Sequence, residues 1–181
     1  KTAYEIRPRD WSSDVCSSDL GVGGELRRTD FPGPNRDFEV WAVGADARWQ
    51  FTEYFGVKGE FFHGQAIGNF NAAILQVNND RLDPVRATGG WGEVYVYWFD
   101  HLHSHFGMGV DDPLDSDLLP GLVAARPNRN QFVFGNVIWD VTKNLEIGFE
   151  VSHFDTSYLN ITPLDIDNSS WIYHSRLRLK F

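Results

Sequence analysis

The segment Asp37–Gln50, DFEVWAVGADARWQ, decides the architecture. Taking every second residue gives Trp41, Val43, Ala45, Ala47 and Trp49, an apolar series with a tryptophan at each end. The interleaved series is Val40, Ala42, Gly44, Asp46, Arg48 and Gln50. A period of two is the mark of a strand with unlike faces. Eight steps of about 3.3 Å span roughly 26 Å. A tilt of ~40° reduces this to about 20 Å, close to the ~25 Å apolar band between the aromatic girdles of a transmembrane barrel. A soluble sheet also alternates, but it has little reason to place Trp at both ends of its apolar face.

The pattern recurs to the end of the chain. Phe55, Val57, Gly59 and Phe61 oppose Lys58 and Glu60, and Val94, Val96 and Trp98 oppose Glu93, Tyr95 and Tyr97. Phe106, Met108 and Val110 oppose His105, Gly107 and Gly109. Val133, Val137, Trp139 and Val141 oppose Phe134, Asn136 and Asp140, while Leu145, Ile147, Phe149 and Val151 oppose Glu146, Gly148, Glu150 and Ser152. In the last strand Tyr173, Leu177, Leu179 and Phe181 face away from His174, Arg176, Arg178 and Lys180. Neither a 3.6 period nor helix-start signals compete.

Connections alternate in length. Short ones at Phe51–Tyr54, Asp100–Ser104 and Thr142–Asn144 read as hairpin turns. Long ones, rich in Asn, Asp and Pro, fall at about 68–86, 111–127 and 155–168. A loop near 30–36 contains Pro32, Gly33 and Pro34, and Gly21–Arg28 reads as the end of an earlier strand. Counting back from the last strand puts every short turn on one side of the sheet and every long loop on the other, as in outer-membrane barrels.

Composition narrows the class. The 181 residues are 42% apolar and 15% aromatic, ample for one packed domain. One cysteine, Cys16, excludes a disulfide scaffold. With 16 Lys+Arg against 25 Asp+Glu, the net charge of −9 argues against nucleic acid as a partner. No run approaches the ~18 apolar residues of a transmembrane helix. A barrel, which hides its apolar face in alternate residues, is untouched by that argument.

Residues 1–20, KTAYEIRPRDWSSDVCSSDL, carry no periodicity and resemble translated sequencing adapter. They are expected to be non-native, disordered and outside the fold. The domain is then 21–181, with seven or eight strands. The natural N-terminus, with any export signal, is expected to be missing.

The chain ends on Phe181 after an alternating strand, with Ser175 as the single interruption. This resembles the terminal insertion signal of Gram-negative outer-membrane β-barrels. HFGMGVDDP (105–113) and FGNVIWDVTKNLEIGFEVS (134–152) are similar to the closing hairpins of porin-type channels. The resemblance implies an all-β, antiparallel up-and-down transmembrane β-barrel, of which this chain is the C-terminal part. It implies a porin-like channel for passive diffusion of small polar solutes or ions, with no catalysis and no cofactor. The expected location is the bacterial outer membrane. Expected partners are outer-membrane lipid, lipopolysaccharide, a barrel-assembly machinery engaging the strand that ends in Phe181, and further copies of the chain in a homotrimer.

In that reading the pore-lining residues are Asp46, Arg48, Lys58, Glu60, Glu93, Asp140, Glu146, Glu150, His174, Arg176, Arg178 and Lys180, where lumen charge sets selectivity. Singly, Arg176, Arg178 and Lys180 are expected to pair with Glu146, Glu150 and their neighbours. Trp41, Trp49, Trp98, Trp139, Tyr173 and Phe181 are the expected membrane-interface aromatics. His101, His103 and His105 with Asp100 imitate a metal site, but they straddle the turn at 100–104 and read as solvated. Asp111, Asp112, Asp115 and Asp117 suit Ca²⁺ in chemistry, yet lack an EF-hand's Gly and Glu and read as a solvated acidic loop. Hydrolase, Walker and zinc-protease motifs are missing. The rival readings are a non-channel outer-membrane barrel serving adhesion or structure, a soluble lipocalin-like barrel with an apolar interior, and a soluble β-sandwich.

Overall fold

The computed structural model describes residues 39–118, 126–159 and 168–180. They form seven strands: β1 (Trp41–Gln50), β2 (Phe55–Gln65), β3 (Arg86–Phe99), β4 (Leu102–Pro113), β5 (Arg126–Thr142), β6 (Leu145–Leu159) and β7 (Asn168–Leu179). Each pairs antiparallel with the next in a single sheet of order β1 to β7. The segment 1–20, the strand end at Gly21–Arg28, the loop near 30–36 and Phe181 lie outside the described residues.

The seven described strands make an all-β, antiparallel up-and-down sheet as expected, and this sheet is open, not closed into a barrel. An odd number of up-and-down strands leaves β1 and β7 running the same way. Antiparallel closure requires an even count.

Two of the three short turns are held by threonine. Thr52 Oγ1 accepts the Tyr54 and Phe55 amides at 3.1 and 3.2 Å, and Thr142 Oγ1 accepts those of Asn144 and Leu145 at 3.2 and 3.0 Å. A side-chain acceptor two or three residues back mimics a backbone turn. The middle turn is tighter than 100–104, because β4 starts at Leu102. At the other end the strands outrun the sequence expectation: β4 reaches Pro113 and β6 reaches Leu159. Asp111 still pairs with Gly89 and Asn130 there. A backbone ladder continues through polar residues that the alternation of apolar side chains does not mark.

The register sorts side chains as the alternation requires, but with burial inverted. Phe106, Met108, Phe149, Leu177 and their neighbours on the apolar face are exposed, Met108 by 63% and Leu177 by 67%. On the polar face Glu93, Asn136, Glu146 and Glu150 are only 5–6% exposed. Aromatic rings help to shield that face. Phe134 and Phe132 reach over their cross-strand partners Gly107 and Gly109, where a Cβ would stand 2.4 and 2.5 Å from the ring. Among the described residues, a conventional apolar cluster forms where the 66–85 connection folds onto the polar face, joining Ile67, Ala72, Ala73 and Ala87 to Ala42 and Phe62.

Candidate functional site

Ionisable side chains cross the polar face in one row that runs over six strands. On β2, Lys58 Nζ lies 3.1 Å from Glu93 Oε1 of β3, and the same oxygen is 2.6 Å from His105 Nδ1 of β4. His103 Nδ1 faces His105 Nε2 at 3.1 Å, and His103 Nε2 is 3.9 Å from Asp140 Oδ2 on β5. Lys180 Nζ, just past β7, lies 3.4 Å from Asp140 Oδ1 and 3.5 Å from Glu146 Oε2 of β6, and Arg176 pairs with Glu146. Buried carboxylates persist only when charge partners and hydrogen bonds replace water. Glu93 and Glu146 meet that condition.

The remaining sequence candidates fall on the same face in separate groups. Glu150 accepts from Asn136 Nδ2 at 3.0 Å and Ser152 Oγ at 3.3 Å, with His174 Nδ1 at 3.7 Å. Arg48 donates to the Tyr95 hydroxyl at 3.3 Å and sits 5.1 Å from its ring centre. Glu60 accepts the Trp91 indole N–H at 3.3 Å, and Asp46 lies opposite Glu60 in the register. Arg178 is exposed beside Glu146 and makes no ion pair among the described residues. Among the described residues, the three basic residues of β7 and its end therefore divide: Arg176 and Lys180 form ion pairs and Arg178 does not.

On the apolar face, Trp49, Trp98 and Trp139 stand near the short turns, while Trp41 stands at the opposite end. Trp171, which the sequence reading missed, shares that far end and lies 4.5 Å from His153, as Trp41 lies 5.3 Å from His63. Its place two residues before Tyr173 on the same face was the signal available. Tyr173 is on this face as expected.

Two expectations are corrected. His103 and His105 are not solvated; because β4 begins at Leu102, His103 joins His105 on the strand and both enter the charged row. Nor are the acidic residues 111–117 a simply solvated loop: Asp111 and Asp112 belong to β4, and Asp111, Asp115 and Asp117 each hold a different partner. Asp111 accepts the backbone N–H groups of Ala73 and Ile74 at 3.0 and 2.7 Å, Asp115 accepts from Asn128 at 2.9 Å, and Asp117 holds Arg86 at 2.7 Å. Ala73 and Ile74 both have positive φ, a costly conformation for residues with a Cβ, and consecutive amides so arranged form an anion cradle that the Asp111 carboxylate fills. Gln76 donating to the Pro127 carbonyl at 2.7 Å and Arg126 pairing with Asp80 tie the same connection to β5. Among the described residues no three His, Cys, Asp or Glu side chains form a metal-binding group.

The Arg86–Asp117 pair anchors the segment after β4 to the start of β3. Its hydrogen bond holds the Asp117 carboxyl below the ordinary 3.8, outweighing partial burial. A depressed carboxylate contributes stability above its unfolded value and loses it as pH falls through the folded value. A spin label at Ser116, in a Cys16→Ser background, should therefore be immobile at neutral pH and gain mobility only in acid below the ordinary carboxylate range. In Arg86→Gln it should be mobile at both. Mobility unaffected by acid and by the substitution would show that the pair anchors nothing.

Compared with family models, curated proteins and solved structures, the chain matches none.

Proposed function

We propose that the seven strands are part of an outer-membrane β-barrel whose polar face lines a passage for small polar solutes or ions, acting without catalysis or cofactor. The observation that carries this reading is the inverted burial: exposed Phe, Trp, Leu, Ile and Val over one whole face, sheltered Glu, Asn and Ser on the other. A contiguous apolar face of this extent is unusual for a water-soluble monomer, and lipid is the solvent that accommodates it. The alternation of short turns and long connections supports the same reading, with the short turns placed toward the periplasm. In this reading at least one further strand joins β1 to β7, and Trp41, Trp49, Trp98, Trp139 and Tyr173 meet the membrane interfaces. Lipid and lipopolysaccharide surround the barrel, an assembly machinery engages the terminal strand, and association into a trimer is a further expectation.

The lumen wall would then be a rigid, largely compensated ionic lattice, with the 66–85 connection narrowing it. Net selectivity falls to charges outside the lattice, first of all Arg178. Single-channel recording tests this. Arg178→Gln should move the reversal potential toward cation preference, and more strongly at low salt, where screening is weaker. Arg176→Gln removes the same unit of positive charge by unmasking Glu146 and should move it in the same direction. An unchanged reversal potential would remove Arg178 from the selectivity mechanism.

One observation favours a second reading, a non-conducting barrel with a filled interior. Phe132 stacks on Phe134 and Phe154 on the polar face, with ring centres 6.2 and 5.6 Å apart. A small barrel can be filled by such side chains. Correctly inserted protein that shows no conductance would select that reading over the channel.

A further inference from the structure

We propose that His103 and His105 form a two-imidazole chelate for a divalent transition-metal ion, such as Zn²⁺ or Cu²⁺, on the polar face. Two apart on β4, they project to the same side. Their facing nitrogens, His103 Nδ1 and His105 Nε2, are 3.1 Å apart. Imidazole nitrogens bound to one ion at about 2.0–2.1 Å lie about 2.9 Å apart at a right angle and about 3.4 Å apart at the tetrahedral angle. The observed spacing falls between the two, so the nitrogens already stand at a chelating separation and the rings need only swing their lone pairs off the line between them.

The flanking groups prepare both rings. His105 donates Nδ1–H to Glu93 at 2.6 Å, which leaves its Nε2 carrying the lone pair. His103 then shares a single proton across the gap. When the ion takes the gap, that proton moves to His103 Nε2, on the side of Asp140. Each ligating imidazole thus has a carboxylate behind it, the arrangement that fixes ring orientation and strengthens the ligand. Tyr95 and Tyr97 pack beside His105 and His103, with ring centres 6.2 and 5.3 Å away. The two histidine side chains remain 16% and 17% accessible, so water completes the coordination.

The surroundings also select the class of ion. Glu93, Asp140 and Glu146 are balanced by Lys58, Lys180 and Arg176, each already within an ion pair. A hard cation such as Ca²⁺ finds no net negative charge among these pairs. Borderline ions that prefer imidazole do not need it. The site depends only on the β3–β4–β5 register, so it stands or falls separately from conduction.

The test uses the full chain folded in detergent micelles and titrated with Cu²⁺ or Zn²⁺. One ion should bind per chain, and a large excess of Ca²⁺ should not displace it. His103→Asn and His105→Asn should each weaken binding more than a hundredfold. Glu93→Gln should weaken it by about 10–100-fold, as loss of a ligand-orienting carboxylate does. His101→Asn and His174→Asn should leave it unchanged. Electron paramagnetic resonance of the Cu²⁺-loaded wild type should show two coupled imidazole nitrogens, a readout that survives even if a variant fails to fold. Absence of saturable binding, a spectrum with one nitrogen or none, or full binding by the folded His103→Asn/His105→Asn double variant would each overturn the proposal.

Discussion

Val43→Arg and Ala45→Arg should each cost about 2–4 kcal/mol when the protein is unfolded from lipid vesicles, the penalty of a cation near the middle of a lipid-facing strand. Both positions are on the apolar face of β1, opposite His63 and Phe61 of β2, and both are exposed. Gly44→Arg, one residue away, should cost markedly less. Its side chain leaves toward the polar face, where the nearest atom to a new Cβ is the Phe61 carbonyl oxygen at 3.4 Å. The comparison separates a membrane sheet from a soluble one by magnitude. In water, arginine at an exposed position such as Val43 would change stability by no more than about 0.5 kcal/mol. Equal penalties at 43 and 44, or a negligible one at 43, would refute the lipid-facing assignment.

Glu93→Leu should be among the most damaging single substitutions, at about 3–5 kcal/mol, the usual result of removing one member of a buried ion pair. The Glu93 side chain is 1% accessible and serves both Lys58 and His105 through one oxygen. Without it, Lys58 keeps a charge on a shielded face and His105 loses the acceptor that fixes its tautomer. Denaturant titration of the micelle-folded protein measures the loss. Adding Lys58→Met to Glu93→Leu should restore part of the stability, because the cation that Glu93 faced goes too. A Glu93→Leu variant as stable as wild type would mean that the row is a surface lattice without energetic consequence.

Every feature that depends on period two alone was legible before any coordinate: the strands, their two faces, the order of short and long connections and the aromatic ends. Trp41 to Trp49 and Leu145 to Val151 announce their faces because a strand turns its side chains over at each residue, whatever it is paired with. That charged residues such as Glu93, Glu146 and Arg176 share one face also follows from alternation. Which of them join does not. Whether Arg176 or Arg178 neutralises Glu146, and whether His105 reaches Glu93, depends on register and side-chain direction across strands distant in sequence. For the histidines it depended on a hairpin three residues tighter than expected, which moved His103 from the turn into the strand beside His105. The folding of residues 66–85 onto the polar face was hidden for the same reason. It rests on Asp111, Pro127 and Asp117, contacts 37 to 51 residues away in the chain. Closure is the last such property: it depends on the partners of two edge strands, and the odd count of seven among the described residues leaves β1 and β7 parallel and unable to close antiparallel on each other. Local alternation determined the faces, and only long-range pairing decided the site.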